Sequence, residues 1–385
     1  MRRSKRKAIQ NTAAVPAVNI SDLPNHITCD ILSRLSLNSI FACKRVCKLW
    51  RDLTLEPYFA KLHLSRSPLS LISYRHGNDI DNSPYFEILQ LYDPLVLRRR
   101  DTTMKFRSDI YFPHIHMVAS CNGSILLSNY SSDDDYVIIV CNPLRAQQFI
   151  LPKPRKLALQ THKVAQLGFG HSPSTDQYKV LRFTSSNNVF KPCRLNCEIF
   201  TIGIDDEWRS MGDTEQLPAF IMTKIIFLNG ALYWIGLENL QRFICYFDVE
   251  REYFQSFPLP SHIGKGFLYL EVVDNRLYLH NRDSLNVWRF WAMKDYGDFG
   301  SWTLEWVIEE PIIYKFKGLV RLLKTLKDGR LLMTFYDFRD ATKTIIASYN
   351  LRTRVLKKNK YHLSGCWSGA VADIPCFFSP MDALK

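Results

Sequence analysis

SDLPNHITCDILSRL at residues 21–35 and SIFACKRVCKLWRDL at residues 39–53 set the beginning of the chain apart from everything after it. Ser21 or Asp22 can accept hydrogen bonds from the free amides of a first helical turn, and Pro24 stands where a missing amide hydrogen does no harm. Leu23, Ile27, Ile31 and Leu35 then recur every four residues with Leu32 beside them, which makes one apolar face. Ser39 marks a second start. Ile40, Cys43, Cys47, Trp50 and Leu53, with Val46, form another apolar stripe, opposite Lys44, Arg45, Lys48 and Arg51, and Pro57 ends the run. A unit of about 40 residues rarely buries enough apolar surface to stand alone. So apolar a face is either seated on the rest of the chain or offered to a partner.

Residues 57–68, PYFAKLHLSRSP, read as a short connector that contains no Gly and is therefore stiff. From Pro68 the pattern changes. LSLISY, YFEILQLY, GSILLS, YVIIVC, YKVLRF, CEIFTIGI, ALYWIG, FICYFDV, RLYLHN, VWRFWAM, RLLMTFY and TIIASYN are short, β-branched and aromatic, and bounded by polar turns. No amphipathic helix interrupts them, which argues against a parallel α/β sheet. Asn122-Gly123, Asn229-Gly230, Asp274-Asn275 and Asp328-Gly329 are hairpin dipeptides tolerant of positive φ, and PSTDQ around Asp176 is a comparable turn. The anchors 122, 176, 229, 274 and 328 lie 54, 53, 45 and 54 residues apart. Downstream of several of them VCNPLRAQQFILP, YFDVEREYFQSFPLP and SYNLRTRVLKKNKY each run strand, Asn or Asp, polar turn, strand. A period near 50 residues with several strands in each predicts a β-propeller of about six blades. CWSGAVADIPCFF at the C-terminal end is placed to complete the first blade, and a β-sandwich is the alternative.

Composition narrows the function. The net charge of +13 is concentrated early: Arg2, Arg3, Lys5, Arg6 and Lys7 fall in a segment, 1–18, without apolar periodicity, expected to be a disordered tail and a candidate nuclear import signal. The clusters at Arg98–Arg100, at Lys153, Arg155 and Lys156, and from Arg352 to Lys360 are scattered and lack a nucleic-acid motif, so nucleic-acid binding is not expected. No stretch reaches the roughly 18 apolar residues of a membrane span, and the N-terminus lacks a signal peptide's apolar segment. The expected location is nucleus or cytoplasm, with the ten cysteines reduced. Cys43 with Cys47 and Cys193 with Cys197 lack the second pair a zinc site needs, and Asp133–Asp135 lack the further oxygen ligands of a calcium site. There is no nucleophile elbow, phosphate loop or HExxH helix. Ser124, or Ser172 beside His171, would be incidental neighbours. No catalytic residue, cofactor or metal is expected.

The string Leu23-Pro24, Ile27, Ile31-Leu32, Arg34-Leu35, Ser39, Cys43, Val46-Cys47-Lys48, Trp50-Arg51 and Leu53 resembles an F-box. SCNGSILL with CNPLRAQQFILP, LGFGHSPSTDQYKVLRF, IIFLNGALYWIG, ICYFDVEREYFQSFPLP and VWRFWAMKDYGDFGSW resemble the F-box-associated, kelch-related domain of plant F-box proteins. Cys141, where the family commonly has Trp, and His171, where an acidic residue or Asn is usual, depart from the pattern. The resemblance implies a three-helix F-box at 19–60, a connector at 61–67 and a propeller-like domain at 68–385. It further implies that Leu23, Pro24, Ile27, Ile31, Leu32, Leu35, Ile40, Val46, Cys47 and Trp50 bind a Skp-type adaptor, and through it a cullin, in an SCF-type ubiquitin ligase. The β domain would hold an unknown protein target. A non-ligase scaffold that binds the adaptor is the alternative. Pro24, Leu32 and Leu35 are expected to remain solvent-exposed in the isolated chain.

Overall fold

A computed structural model describes residues 23–75, 84–91, 103–107, 115–129, 136–154, 162–186, 195–212, 214, 217–263, 266–283, 287–309, 320–336, 343–364 and 370–384. The basic tail, Arg98–Arg100 and Asp133–Asp135 lie outside them, as do Arg155, Lys156 and Cys193.

Four helices open the described chain. Pro24 is the residue before α1 (Asn25–Ser33) and contributes no side-chain cap. α2 (Leu37–Cys43) begins at Ser36, whose hydroxyl accepts the Ser39 amide, so Ser39 is the capped residue and not the cap. The second stripe, read as one helix, is two. Turn bonds from the amides of Arg45 to Ala42 and Val46 to Cys43 close α2, Cys47 is extended at φ −153°, and α3 (Lys48–Leu53) starts anew. The supposed connector is helical as well: α4 (Pro57–Arg66) has Pro57 in its first turn, where proline ends one helix and starts the next.

Six antiparallel sheets follow, in the radial arrangement of a propeller. The first holds β1 (Ser70–Arg75), β2 (Tyr85–Gln90) and β3 (Thr103–Arg107), and its innermost place is taken by the last strand, β25 (Ala370–Asp373). Ile72 sits between Ile88 of β2 and Val371 of β25, so the two ends of the propeller are stitched into one sheet. The second blade is β4 (His116–Cys121), β5 (Ser124–Ser128), β6 (Ile138–Asn142) and β7 (Gln147–Ile150). The third is β8 (His162–Ser172), β9 (Gln177–Ser186), β10 (Leu195–Thr201) and β11 (Arg209–Ser210). In the fourth, the inner strand is split into β12 (Phe220–Ile221) and β13 (Ile226–Leu228), both paired with β14 (Ala231–Glu238), before β15 (Gln241–Asp248) and β16 (Tyr253–Pro258). The fifth is β17 (Leu268–Val273), β18 (Arg276–Arg282), β19 (Trp288–Met293) and β20 (Trp302–Ile308). The sixth is β21 (Val320–Thr325), β22 (Leu331–Tyr336), β23 (Lys343–Asn350) and β24 (Val355–Ser364).

The turn anchors fall where a propeller needs them, between the first and second strands of blades two to six. Asn122 and Gly123 have φ of 49° and 73°, Asn229 and Gly230 48° and 80°, and Asp274 and Asn275 48° and 60°. Between third and fourth strands a second device repeats. Asn142 Oδ1 accepts the Leu144 amide at 2.9 Å, Asp248 Oδ1 the Arg251 amide at 2.8 Å, and Asn350 Oδ1 the Arg352 amide at 2.9 Å. Both turn sets lie at one end of the ring because neighbouring strands alternate in direction. α4 enters β1, the second strand of its blade, from that same end. The helices therefore sit on the turn face, and the connections between second and third strands occupy the opposite, far face.

Candidate functional site

α4 lies against α1, and one carboxylate holds the pair. Arg66 Nη2 donates to Asp30 Oδ1 at 2.6 Å and Arg34 Nε to Asp30 Oδ2 at 2.8 Å, while Arg66 Nη1 reaches the Asp30 carbonyl at 3.1 Å. Hydrogen bonds from Arg34 and then Arg66 hold the Asp30 carboxyl at about 2. The clamp is solvent-exposed, so it sets register more than it supplies stability.

A second set of contacts seats the helices on the propeller. Leu32, Leu37, Ile40, Leu53 and Phe59 share one core with Ile72, Ile88, Ile125, Ile139 and Phe377. The Phe377 ring meets Phe59 edge-on at 5.3 Å and His63 at 4.9 Å, and Lys44 Nζ stands 4.8 Å from the Phe41 ring and 5.6 Å from that of Phe377. The Leu37 amide donates to Gln90 Oε1 at 3.3 Å. Each large side chain fully buried this way contributes roughly 1.5–3 kcal/mol of gross hydrophobic free energy. Leu37, Ile40, Phe59 and Phe377 alone make the joint an extension of the core and not a loose domain contact.

Phe377 is held in turn by a clasp. Asn142 Nδ2 donates to the Cys376 and Phe378 carbonyls, the first at 3.0 Å, and Arg145 Nη1 donates to the Phe377 carbonyl at 3.3 Å and pairs with Asp382. The Gly123 amide donates to Asp373 Oδ2 at 3.2 Å. A Cβ on Gly123 would lie 2.3 Å from the Cys376 nitrogen, so this turn needs glycine for close approach as well as for φ. Cys141, at the departing Trp position, is buried in the core shared with the helices.

What the seat leaves outside is apolar. Pro24, just before α1, and Ile27 and Ile31, one turn apart on it, face outward. Val46, at 67% exposure, Cys47 and Leu49 occupy the corner between α2 and α3, and Leu55 and Tyr58 flank the start of α4. Asn25, His26, Cys29, Glu56 and Tyr58 line a shallow recess of about 340 Å³ between the starts of α1 and α4. Of the residues that the motif nominates, Pro24, Ile27, Ile31, Val46 and Cys47 are thus exposed, and Leu23, Leu35 and Trp50 are half-buried. Leu32 and Ile40 are not on the surface at all. The expectation that Leu32 stays exposed is wrong because its side of α1 packs into the joint, at 2% exposure, and Leu35 is only partly exposed. Leu49, Leu55 and Tyr58 are exposed on the same side although the motif does not nominate them. Leu49 stands among Lys48 and Arg51 on the charged side, and an apolar residue there is the signal that pointed to it.

His171 Nε2 bonds Asp176 Oδ1 at 2.9 Å while Ser172 Oγ bonds Ser174 Oγ at 3.3 Å, so the two are engaged elsewhere. Among the described residues no three His, Cys, Asp or Glu side chains group to hold a metal, and no helix is long and apolar enough to cross a membrane.

Comparison with known proteins agrees with this architecture. The family described as F-box associated beta propeller domain matches residues 74–368, and one described as F-box-like matches residues 20–64. F-box protein At3g07870 of Arabidopsis thaliana is 24% identical over 413 residues, covering 94% of each chain. F-box/kelch-repeat protein At3g17530 of the same plant is 28% identical, over 63% of this chain and 61% of that one, and F-box protein DOR is 27% identical over 61% of each. The chain thus spans about six tenths of the length of several curated relatives. Among solved structures, TolB from Acinetobacter baumannii covers 83% of this chain and 71% of its own at 9% identity, with a TM-score of 0.46. With helices over the F-box-like match and six blades over the longer one, the chain belongs to the F-box-associated propeller family of plant F-box proteins.

Proposed function

We propose that the protein is the substrate-recognition subunit of an SCF-type ubiquitin ligase, binding a Skp-type adaptor, and through it a cullin, by its helices and a target protein by its propeller. The carrying observation is the apolar surface of Ile27, Ile31, Val46, Leu49, Leu55 and Tyr58, left exposed by helices whose other side is fixed to the β domain. A receptor of this kind needs no reacting group. It raises the effective concentration of target near activated ubiquitin, which requires two binding surfaces and a rigid body between them. The joint around Phe377 supports that rigidity. The protein would act in the nucleus or cytoplasm, where such ligases operate.

Co-purification with a plant Skp-type adaptor tests the reading, and the burial pattern selects the variants. Ile31→Ala with Val46→Asp is expected to abolish adaptor capture while the melting temperature stays near wild type. Leu32→Ala is a poor probe, because it would damage the core. Adaptor binding unaffected by the exposed pair would overturn the proposal. Capture of adaptor without cullin would favour the non-ligase scaffold.

A further inference from the structure

The far face of the propeller carries a feature that the family resemblance does not account for. The inner strand of blade four slips by two residues at its split, between Ile221, opposite Gly236, and Ile226, opposite Tyr233. Ile221, Thr223 and Ile225 turn inward or pair, Thr223 Oγ1 accepting the Ile235 amide at 3.0 Å, while Phe220, Met222 and Lys224 are exposed. This gives an apolar stripe ending in a cation. The Lys224 side chain is open to solvent yet has protein around most of it. That enclosure, and then the charge of Arg321 from blade six, bring its pKa down to about 8. Among the described residues its ammonium has no carboxylate partner, whereas Arg321 is already paired with Glu271 at 3.0 Å.

Two further apolar residues stand at the same end of the ring. Phe267, 80% exposed, precedes the inner strand of blade five, and Leu240, 94% exposed, forms the tip of the β14–β15 hairpin. Leu240 is also in a conformation that costs energy: φ is 47° at Asn239 and 65° at Leu240, the positions that Asn-Gly or Asp-Asn occupy in the turns of the other face. A branched residue at positive φ with its side chain wholly in water gains nothing in the free chain, and such strain gathers at binding sites.

We infer that this part of the far face, with Phe220, Met222, Leu240, Phe267 and Lys224, is where the target binds, and that it takes an extended peptide with a large apolar residue beside a carboxylate side chain. The inference rests on the reading of the propeller as the target-binding unit. The apolar side chain would pack among Phe220, Met222, Leu240 and Phe267, and the Asp or Glu would supply the counter-charge that Lys224 lacks. Pairing there is strengthened by the low-dielectric surroundings that disfavour the lone ammonium.

The test is selection of a random dodecapeptide phage library on the immobilised full chain, followed by affinity measurements on the best peptide. Enriched peptides should place Leu, Phe or Trp within three residues of Asp or Glu. Changing that acid to Gln should weaken binding at least tenfold to wild type and hardly at all to Lys224→Met. Leu240→Gly relieves the strained turn and should raise the melting temperature while still losing at least tenfold in affinity, which separates binding from folding. Enrichment without the apolar-acidic pair, equal affinity of acid and Gln peptides, or no effect of either variant would overturn the inference. So would a tenfold preference for phosphoserine in place of the acid, which would assign the site to phosphate. Adaptor co-purification run on the same variants should be unchanged. Its failure in wild type would sink the ligase proposal without touching the peptide result.

Discussion

His63 and Gly123 show how single positions carry the joint. His63 is buried between Phe59 and Phe377 with its ring bonded to Ser67 Oγ, and burial pushes its pKa from 6.5 to about 4. As pH falls the unfolded chain takes up this proton first. Its contribution to stability is therefore whole above about pH 6.5, declines between there and about pH 4, and is flat below, with a span of up to ~3 kcal/mol. Urea denaturation across that window should show wild type losing stability toward acid relative to His63→Gln, and an equal pH dependence in both would refute the assignment. Gly123 and Gly329 form a matched pair, with φ of +73° and +79°, but only a Cβ at 123 meets backbone. Gly329→Ala is expected to cost about 1 kcal/mol from strain alone, and Gly123→Ala on the order of 3 kcal/mol, since the clasp must also move. Equal costs would mean that the approach to Cys376 is not tight.

At the scale of elements, the Asx turns between third and fourth strands differ in what else they hold. Asn350→Ala removes only turn bonds and should cost about 1 kcal/mol, whereas Asn142→Ala also strips two carbonyls of the clasp and should cost about 2–4 kcal/mol by thermal denaturation. In α1, Leu32→Ala should cost about 2–5 kcal/mol and Ile31→Ala less than about 1 kcal/mol, neighbours split by which side of the helix meets the propeller. That division also explains what could be read beforehand. The twelve strand-like fragments, from LSLISY to TIIASYN, correspond to the second and third strands of all six blades, which lie between other strands and so read as unbroken apolar runs. Outer strands such as β7 alternate with solvent, and the inner strand of blade four is broken in two, so neither kind stands out. The apolar faces of the helices were legible. Which parts of them would be seat and which surface was not, because that depends on Phe377, more than 300 residues away.

Taken whole, the molecule is a ring closed by its last strand with helices fixed over the closure. Removing residues 374–384 deletes Phe377 and the partners of Asn142 and Arg145 while leaving every strand in place. The expected result is a propeller that still folds but whose helices are cut early in limited proteolysis, against resistance in the full chain. Unchanged resistance would show that the blade contacts of Leu37 and Ile40 suffice. The position of Phe377 also imposes an order of events during synthesis. The helices leave the ribosome first, yet their seat is finished only after six blades and the clasp have been translated. A product stopped anywhere before residue 377 would expose the core faces of Phe59 and His63 and hold its two ends at no fixed angle. The late seat thus works as a check on completeness: a shortened chain, even one able to meet its partners, would not present one to the other in a constant geometry.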